Sequence, residues 1–353
     1  TPDSVPEAGR QVLLERNGVL NQDITDLVHP SVAELACLAA RIVGLDIAGV
    51  DVVVHDISRP LEPQGGAIIE VNAGPGLLMH LKTGVGKPRP VGEAIVEHLF
   101  PDTAMSRIPL AGITGSQGKT SVALLLGHLL QLSGKNVGLT CSAGLYLGKR
   151  KLESQDSATW AAAHRMLTSR AVDAAVFENS AATLLENGIA YDRCQIGIVT
   201  NIRDFEGLEA YDVHSLDQVY KTMRTQIDVV LPTGAAILNA DDPRVVEMAE
   251  LSDGEVLYFG LNPEAPVLTE HRQKNGRCVF IRHGWVILAH GMNEQSLAQF
   301  ETLPMTPPGT PMFHVENLLA AVAAAWALGL PTDLIHTGIA TFVPADLQSG
   351  KNA

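Results

Sequence analysis

The sequence has few cysteines and no pairing pattern among them. Four occur in 353 residues, far apart, and no two stand in a CxxC motif. This excludes a disulfide-stapled scaffold and a cysteine-ligated zinc ribbon. The twelve histidines likewise form no HExxH or comparable zinc-binding spacing. We interpret the cysteines as buried thiols of a reducing cytoplasm: Cys37, Cys141, Cys194 and Cys278.

Positive charge and long apolar runs are also scarce. The 25 lysines and arginines face 39 aspartates and glutamates, so the net charge is −14. Such a balance excludes a general nucleic-acid or anionic-membrane surface. No apolar run reaches membrane-spanning length, and no signal-peptide pattern begins the sequence. The composition, 46% hydrophobic and 18% charged, is that of an ordinary globular α/β protein of one to three domains.

The segment Ile-Thr-Gly-Ser-Gln-Gly-Lys-Thr-Ser, residues 113–121, has the pattern of a nucleotide phosphate loop. Glycines let backbone amides approach an anion, and the following helix N-terminus favours negative charge. The lysine contacts phosphates and the hydroxyl ligates Mg²⁺. A ligand-free glycine-rich turn is the alternative, which the flanking strand (108–113) and helix (121–132) patterns disfavour. The candidate cofactor-binding residues are Gly115, Gly118, Lys119, Thr120 and Ser121.

Strand and helix patterns alternate from Ile108 onward, which predicts a doubly wound, mostly parallel sheet with the loop at a strand's carboxyl end. The predicted strands there are 174–177, 195–200 and 235–239, the predicted helices are 215–227 and 315–328, and 254–300 is typical of short strands and turns. Upstream, we expect helices at 30–43 and 91–99 and strands at 47–54 and 67–71. Residues 100–107 are typical of a linker, which predicts domains at 1–103 and 104–353.

Two of the upstream strands carry oxygen ligands. Asp51 lies within Gly-Val-Asp-Val-Val, and Glu70 and Asn72 stand two apart in Ile-Glu-Val-Asn-Ala-Gly-Pro-Gly. Alternation along a strand places Glu70 and Asn72 on one face. Two carboxylates and an amide oxygen on neighbouring strands suit an Mg²⁺ ion that bridges nucleotide phosphates. The alternative is a set of polar residues at strand ends without a ligand.

This region resembles the metal-binding end of ATP-grasp ligases, and in more detail the cyanophycin synthetase family. The resemblance rests on the strand with Asp51, on Asp-Ile-Ser-Arg-Pro-Leu (56–61), on Glu-Val-Asn, and on Met-His-Leu (79–81) with Pro88-Arg89. It implies that Asp51, Glu70 and Asn72 are metal ligands. It also implies that Arg59, His80 and Arg89 act near the acyl phosphate or peptide substrate. The earlier lysines and glycine-rich lid of an ATP-grasp domain do not occur, so we expect only its C-terminal part.

From Ile108 onward the chain resembles the central domain of Mur ligases, the other half of cyanophycin synthetase. Motifs follow the phosphate loop in family order: Phe177-Glu178-Asn179, Val199-Thr200-Asn201-Ile202, Leu238-Asn239-Ala240-Asp241-Asp242-Pro243 and Val315-Glu316-Asn317. The resemblance implies that Lys119 contacts phosphate and that Thr120 and Glu178 bind Mg²⁺. It places Asp241 and Asn317 near the nucleotide.

Four departures from the Mur pattern point to a weakened site. Ser180-Ala181-Ala182 replaces Arg-Gly-Gly, and Glu206-Gly207-Leu208 replaces Asp-His-Leu. Met223 stands where the family has a carbamoylated lysine, with Lys221 nearby as the alternative occupant, and His314 replaces an adenine-contacting asparagine. Glycine and methionine offer no ligand suited to Mg²⁺. A missing arginine removes a cation that stabilises transferring phosphate.

The resemblance as a whole is to the second, dipeptide-polymerising type of cyanophycin synthetase. It implies an ATP- and Mg²⁺-dependent ligase that joins β-aspartyl-arginine dipeptides into cyanophycin at the ATP-grasp site. The Mur-like core is then mainly scaffold, its C-terminal lid domain is expected to be absent, and the enzyme is a homo-oligomer, a dimer or tetramer. Two alternatives stay open: a cyanophycin synthetase that adds aspartate and arginine at two ATP sites, and a non-catalytic polymer-binding module. A Mur-type peptidoglycan ligase is disfavoured by the upstream region with Glu70 and Asn72.

Overall fold

The computed structural model describes residues 5, 7–10, 21–100 and 107–344. The chain divides into two compact units between Arg107 and Ile108. The central residues of the predicted linker, 101–106, lie outside the described residues.

In the described part of the first unit there are an antiparallel strand pair and three α-helices. The strands are β1 (Gly49–Val53) and β2 (Ala67–Asn72), and the helices are α1 (Pro30–Val43), α2 (Leu78–Leu81) and α3 (Val91–Leu99). α1 starts at a proline, whose missing amide costs no hydrogen bond at that position, and ends before Gly44 in the left-handed region at φ 83°. The predicted bounds of α1 and α3 are confirmed residue for residue.

The second unit is a large sheet with helices on both faces. Its eleven strands within residues 108–344 are β3 (Leu110–Thr114), β4 (Val137–Cys141), β5 (Gly144–Leu147), β6 (Arg150–Glu153), β7 (Ala174–Glu178), β8 (Cys194–Val199), β9 (Val230–Asn239), β10 (Glu255–Gly260), β11 (Arg277–Arg282), β12 (Trp285–His290) and β13 (Asn293–Gln299). Its described helices are α4 (Lys119–Leu132), α5 (Trp160–Leu167), α6 (Ala181–Glu186), α7 (Leu216–Met223), α8 (Thr225–Asp228), α9 (Pro243–Val246), α10 (Pro266–Gln273), α11 (Met312–Ala327) and α12 (Thr332–Thr341).

The strand order is β13-β12-β11-β10-β9-β8-β3-β7-β4-β5-β6. The seven central strands, from β11 to β4, pair in parallel, and an antiparallel hairpin closes each edge. The doubly wound, mostly parallel sheet is therefore confirmed. β3 lies between β7 and β8, where the chain changes from one half of the sheet to the other. Ligands bind at such a switch point, beyond the carboxyl ends of the strands.

Alternation along the strands divides the core between two faces. Ala235 and Ile237 of β9 pack with α4, α11 and α12 in one cluster, whereas Ala236 and Leu238 pack with α7, α9 and α10 in another. α11 is buried on all sides from Val315 to Ala325, as expected of a helix that is apolar all round.

Several elements of the second unit differ from expectation. The helix predicted over 215–227 is two, since α7 ends at Met223 and a tight turn, with the Ile227 amide donating to the Arg224 carbonyl, leads into α8. The strands β4, β5 and β6 and the helices α5, α6, α9, α10 and α12 were not predicted, although Pro266 marks the first turn of α10 and Pro331 precedes α12. Within the described ranges, no helix has the length and apolarity needed to cross a membrane.

Candidate functional site

The phosphate loop joins β3 to α4 and requires glycine at two positions. Gly115 and Gly118 have φ of 139° and 88°. A Cβ atom on Gly115 would lie 2.0 Å from the Thr200 hydroxyl, and one on Gly118 would lie 1.9 Å from Oδ1 of Asn317. Both contacts are closer than any side chain tolerates, so the loop packs directly on the end of β8 and on α11.

The segment after β8 fastens the loop. The Gln117 amide donates to Asn201 Oδ1 at 3.0 Å, and the Asn201 side-chain amide returns a bond to the Gln117 carbonyl at 3.2 Å. That carbonyl also accepts from Thr200 Oγ1 at 2.6 Å. The Thr200-Asn201 motif therefore shapes the loop, a role that its sequence did not reveal.

The N-terminus of α4 is free of side-chain caps. A helix N-terminus in that state favours an anion, because its first amides lack partners within the helix. Lys119 lies along the loop and donates from Nζ to the carbonyls of Gly115 at 3.0 Å and Ser116 at 3.3 Å. Its ammonium is thus held within the loop that the pattern assigned to phosphate.

Glu178, at the end of β7, is brought to the first turn of α4. Glu178 is only 3% exposed. Its carboxylate accepts a hydrogen bond from Thr120 Oγ1 at 2.9 Å. The Ser142 amide and hydroxyl add bonds of 2.9 and 2.7 Å. These oxygens fit a hard cation such as Mg²⁺. Sequence reasoning missed Ser142, although its place just after β4 puts it at the ligand-binding edge.

Asn317 and Asp241 differ in how directly they meet the loop. Asn317 is 3% exposed, its Oδ1 abuts Gly118, and its buried Nδ2 has no hydrogen-bond partner. Asp241 instead accepts from the Leu261 amide at 2.6 Å and so ties β9 to β10. The structure thus brings Asn317 to the loop, while Asp241 holds the neighbouring strand ends together.

A cavity of about 410 Å³ opens beside the first turn of α4. Thr120 and Ser121 lie on one side and His314, in the first turn of α11, on another, with Leu124 and Phe342 among the apolar lining. Ser121 and His314 are therefore close to one opening next to the loop.

The departures from the Mur pattern occupy local structural roles. Ser180 caps α6 by accepting from the Thr183 amide at 3.0 Å. Met223 is 2% exposed within the core cluster below β9. Lys221 is exposed on the same helix, and Gly207 lies in an exposed turn at φ 79°.

In the first unit, the predicted metal ligands share one face of the strand pair. Asp51 stands directly opposite Glu70, and Asn72 stands opposite Gly49. Opposed residues of an antiparallel pair have Cβ atoms roughly 5 Å apart, so both carboxylates can reach one cation. Asp51 and Glu70 are exposed. Among the described residues no group of three or more His, Cys, Asp or Glu side chains could hold a metal. The strand pair has only two such side chains, and its third oxygen comes from the amide of Asn72. Two carboxylates and an amide oxygen fit Mg²⁺.

Arg89, His80 and Arg59 do not join that face by any hydrogen bond seen among the described residues. Arg89 pairs with Asp23 at 2.7 Å and Asp26 at 2.9 Å. This guanidinium holds the pKa of Asp23 well below its usual range. The Arg89 amide donates to the His80 carbonyl at 2.8 Å, while the His80 and Arg59 side chains are exposed. Arg89 thus fastens the 21–27 segment to the loop after α2.

Comparison with known proteins gives a consistent family assignment. The Mur ligase middle domain model matches residues 113–325. Cyanophycin synthetase from Synechocystis sp. is 38% identical over 328 residues, which is 93% of this chain and 37% of that protein. Cyanophycin synthetase from Geminocystis herdmanii is 36% identical over the same shares. The chain therefore spans little more than a third of the length of these relatives.

Among solved structures, a UDP-N-acetylmuramoyl-L-alanyl-D-glutamate–2,6-diaminopimelate ligase superposes with a TM-score of 0.51 at 16% identity. The match covers 70% of this chain and 49% of that one. At this identity the likeness concerns the fold alone.

Proposed function

The chain belongs to the Mur ligase middle-domain family, and from this membership and its similarity to cyanophycin synthetases we propose that it is part of an ATP-dependent ligase that forms amide bonds. The specific reaction we propose is the polymerisation of β-aspartyl-arginine dipeptides into cyanophycin. The enzyme is then a cytoplasmic homo-oligomer whose first unit is the C-terminal part of an ATP-grasp domain.

The observation that carries this proposal is the pairing of Asp51 with Glu70, with Asn72 on the same face. Asp51, Glu70 and Asn72 would hold Mg²⁺, which would supply the positive charge that ATP phosphates need during transfer to a terminal carboxylate. Attack by a dipeptide amine on the resulting acyl phosphate forms the amide and releases phosphate. The exposed carboxylates suit a face that is completed by substrate.

The same proposal assigns a mainly structural role to the Mur-like core. Ser180 serves as a helix cap, and Met223 serves as core packing. Neither supplies the cation or metal ligand that phosphoryl transfer needs.

A second candidate is favoured by one specific observation, the assembled phosphate-loop site. Lys119 lies in the loop and Thr120 meets Glu178 at 2.9 Å. This arrangement fits an enzyme that adds aspartate and arginine at two ATP sites. The difference between the candidates is whether the loop supports turnover.

The test is Glu70→Ala in the full-length enzyme. We expect dipeptide polymerisation to fall by about 100-fold or more, because metal-held charge stabilisation is worth several kcal/mol. Glu97→Ala, at an exposed glutamate of α3, is the matched control and should retain the wild-type rate. Polymerisation by Glu70→Ala at that rate contradicts the assignment.

Lys119→Ala in the same assay separates the two candidates. The dipeptide-polymerising reading expects little change in the rate. The two-site reading expects one of two ATP-dependent addition steps to disappear when free aspartate and arginine are supplied.

A further inference from the structure

Arg203 lies against the phosphate loop and has no role in the proposed function. Its backbone amide donates to Ser116 Oγ at 3.0 Å, and the Asp204 amide approaches the same oxygen at 3.4 Å. An arginine side chain that starts beside Ser116 is long enough to reach a ligand bound at the loop.

The Arg203 guanidinium forms an ion pair with Glu316 of α11. Nη2 lies 2.9 Å from Oε2, with the arginine side chain 43% and the glutamate side chain 11% exposed. Glu316 directly precedes Asn317, whose Oδ1 abuts Gly118. The ion pair therefore links the two segments that contact the loop at Ser116 and Gly118.

Glu316 is a poor permanent partner for this arginine. Burial raises the pKa of Glu316, while Arg203 lowers it and the nearby Asp241 and Asp242 raise it further. The arginine side chain is 43% exposed, so water screens the ion pair and weakens it. A phosphate group also makes charge-assisted, bidentate bonds with a guanidinium and can therefore compete with Glu316 for it.

The loop itself has two independent features of an anion site. The 14-residue α4 begins without a side-chain cap. Asn317, 3% exposed, keeps a buried Nδ2 without a partner against the same turn.

We propose that Arg203 is a further anion-binding residue of the loop. Its guanidinium breaks the ion pair with Glu316 and binds the phosphates of a nucleoside di- or triphosphate. Glu316 competes for the guanidinium and so sets the affinity for the anion. This inference rests on the part of the proposed function that gives the loop a phosphate ligand. It does not depend on which site carries out polymerisation.

The test is calorimetric titration of the full-length protein with inorganic pyrophosphate in the presence of a metal chelator. Binding that survives Lys119→Ala belongs to other sites and is subtracted. We expect Arg203→Ala to weaken the remaining affinity by about 10-fold or more, since a hydrogen bond to a charged group contributes roughly 1.5–3 kcal/mol. Arg193→Ala, at the opposite end of β8 and of similar exposure, should leave it unchanged.

Glu316→Gln should change the pyrophosphate affinity in the opposite direction from Arg203→Ala. This distinguishes an Arg203 that binds the anion from an Arg203 whose ion pair is only structural. Releasing the guanidinium should tighten pyrophosphate binding several-fold, and the double variant should resemble Arg203→Ala. Arg203→Lys keeps the charge and should retain part of the affinity even if Arg203→Ala folds poorly.

Three outcomes overturn the inference: no loop-dependent pyrophosphate binding by the wild type, wild-type affinity in Arg203→Ala, or weaker binding in Glu316→Gln. None of them involves polymerisation, so they are distinct from a failure of the Glu70 test.

Discussion

At the residue scale, the loop glycines and Asn317 show how contact distance decides residue type. The sequence pattern anticipates glycine at 118, but it gives the reason as access for phosphate. In the structure Oδ1 of Asn317 also excludes a side chain at this position, because it lies 1.9 Å from where a Cβ atom on Gly118 would be. A side chain there displaces both the loop and α11.

His271 is a second residue whose surroundings decide its behaviour. Its ring meets the edge of Tyr258 at 5.0 Å between centroids and packs on Gly276. Burial lowers the pKa of His271, opposed by the backbone of Val256 and the charge of Glu255. Its buried Nε2 has no hydrogen-bond partner.

We predict that this histidine makes the protein less stable in mild acid. The folded state binds the proton less tightly than the unfolded chain, whose histidine titrates near about 6.5. Its contribution to stability is fully present above that pH and is lost as the pH falls below it. Urea midpoints measured between about pH 7.5 and 5.5 should therefore fall less in His271→Gln than in the wild type.

The matched control is His336→Gln, at an exposed histidine of α12. His128, whose pKa burial also lowers, should leave a residual dependence in every variant. Equal pH dependence of wild type and His271→Gln contradicts the prediction.

At the element scale, α7 shows how helix orientation separates neighbouring residues. Ser215 caps it by accepting from the Gln218 amide, and its apolar face turns Val219 and Met223 into the core. Lys221 is on the exposed side. The resemblance to Mur ligases left Met223 and Lys221 as alternative occupants of the carbamoylated-lysine position. The helix places Met223 in the core and Lys221 at the surface.

We predict that Met223→Ala destabilises the protein by about 2–5 kcal/mol, because truncating a buried methionine leaves a cavity. Lys221→Ala on the same helix should change stability by less than about 0.5 kcal/mol. Chemical denaturation of the two variants compares them directly. A similar small effect for both would place Met223 outside the core.

At the scale of the whole molecule, the cysteines distinguish the two units. All four are free, and the prediction of buried thiols is confirmed for Cys141, Cys194 and Cys278 of the second unit but wrong for Cys37 of the first, which is exposed. Burial raises the pKa of Cys141 to about 11 and that of Cys194 and Cys278 to about 12. The thiolate is the reactive form.

We predict that a native-state alkylation at about pH 8 labels Cys37 alone, because the other three thiols are buried away from the reagent and have raised pKa values. Peptide mass mapping reports each cysteine separately. In denaturant all four should react. Rapid labelling of Cys141, Cys194 or Cys278 in the native protein would show that the second unit opens locally.

Much of the fold was predictable because its signals are local. Proline and glycine at the ends of α1 mark its bounds. The phosphate-loop pattern lies directly between β3 and α4 in the sequence. The short helices α10 and α12 were missed because their apolar patterns are brief and depend on packing against the sheet. The division of 215–227 into α7 and α8 also depends on a single turn that periodicity does not resolve.

The sequence by itself determined the doubly wound core and the phosphate-loop pattern at a strand's carboxyl end, and the resemblance to Mur ligases implied that Thr120 and Glu178 act together. Strand alternation also placed Glu70 and Asn72 on one face, whereas the structure set Asp51 opposite Glu70. Only the tertiary structure decided that Ser142 holds Glu178, that Arg89 is bound by Asp23 and Asp26, and that Arg203 stands between Ser116 and Glu316. These contacts join residues distant in sequence, and such approaches are set by packing, which no local pattern encodes.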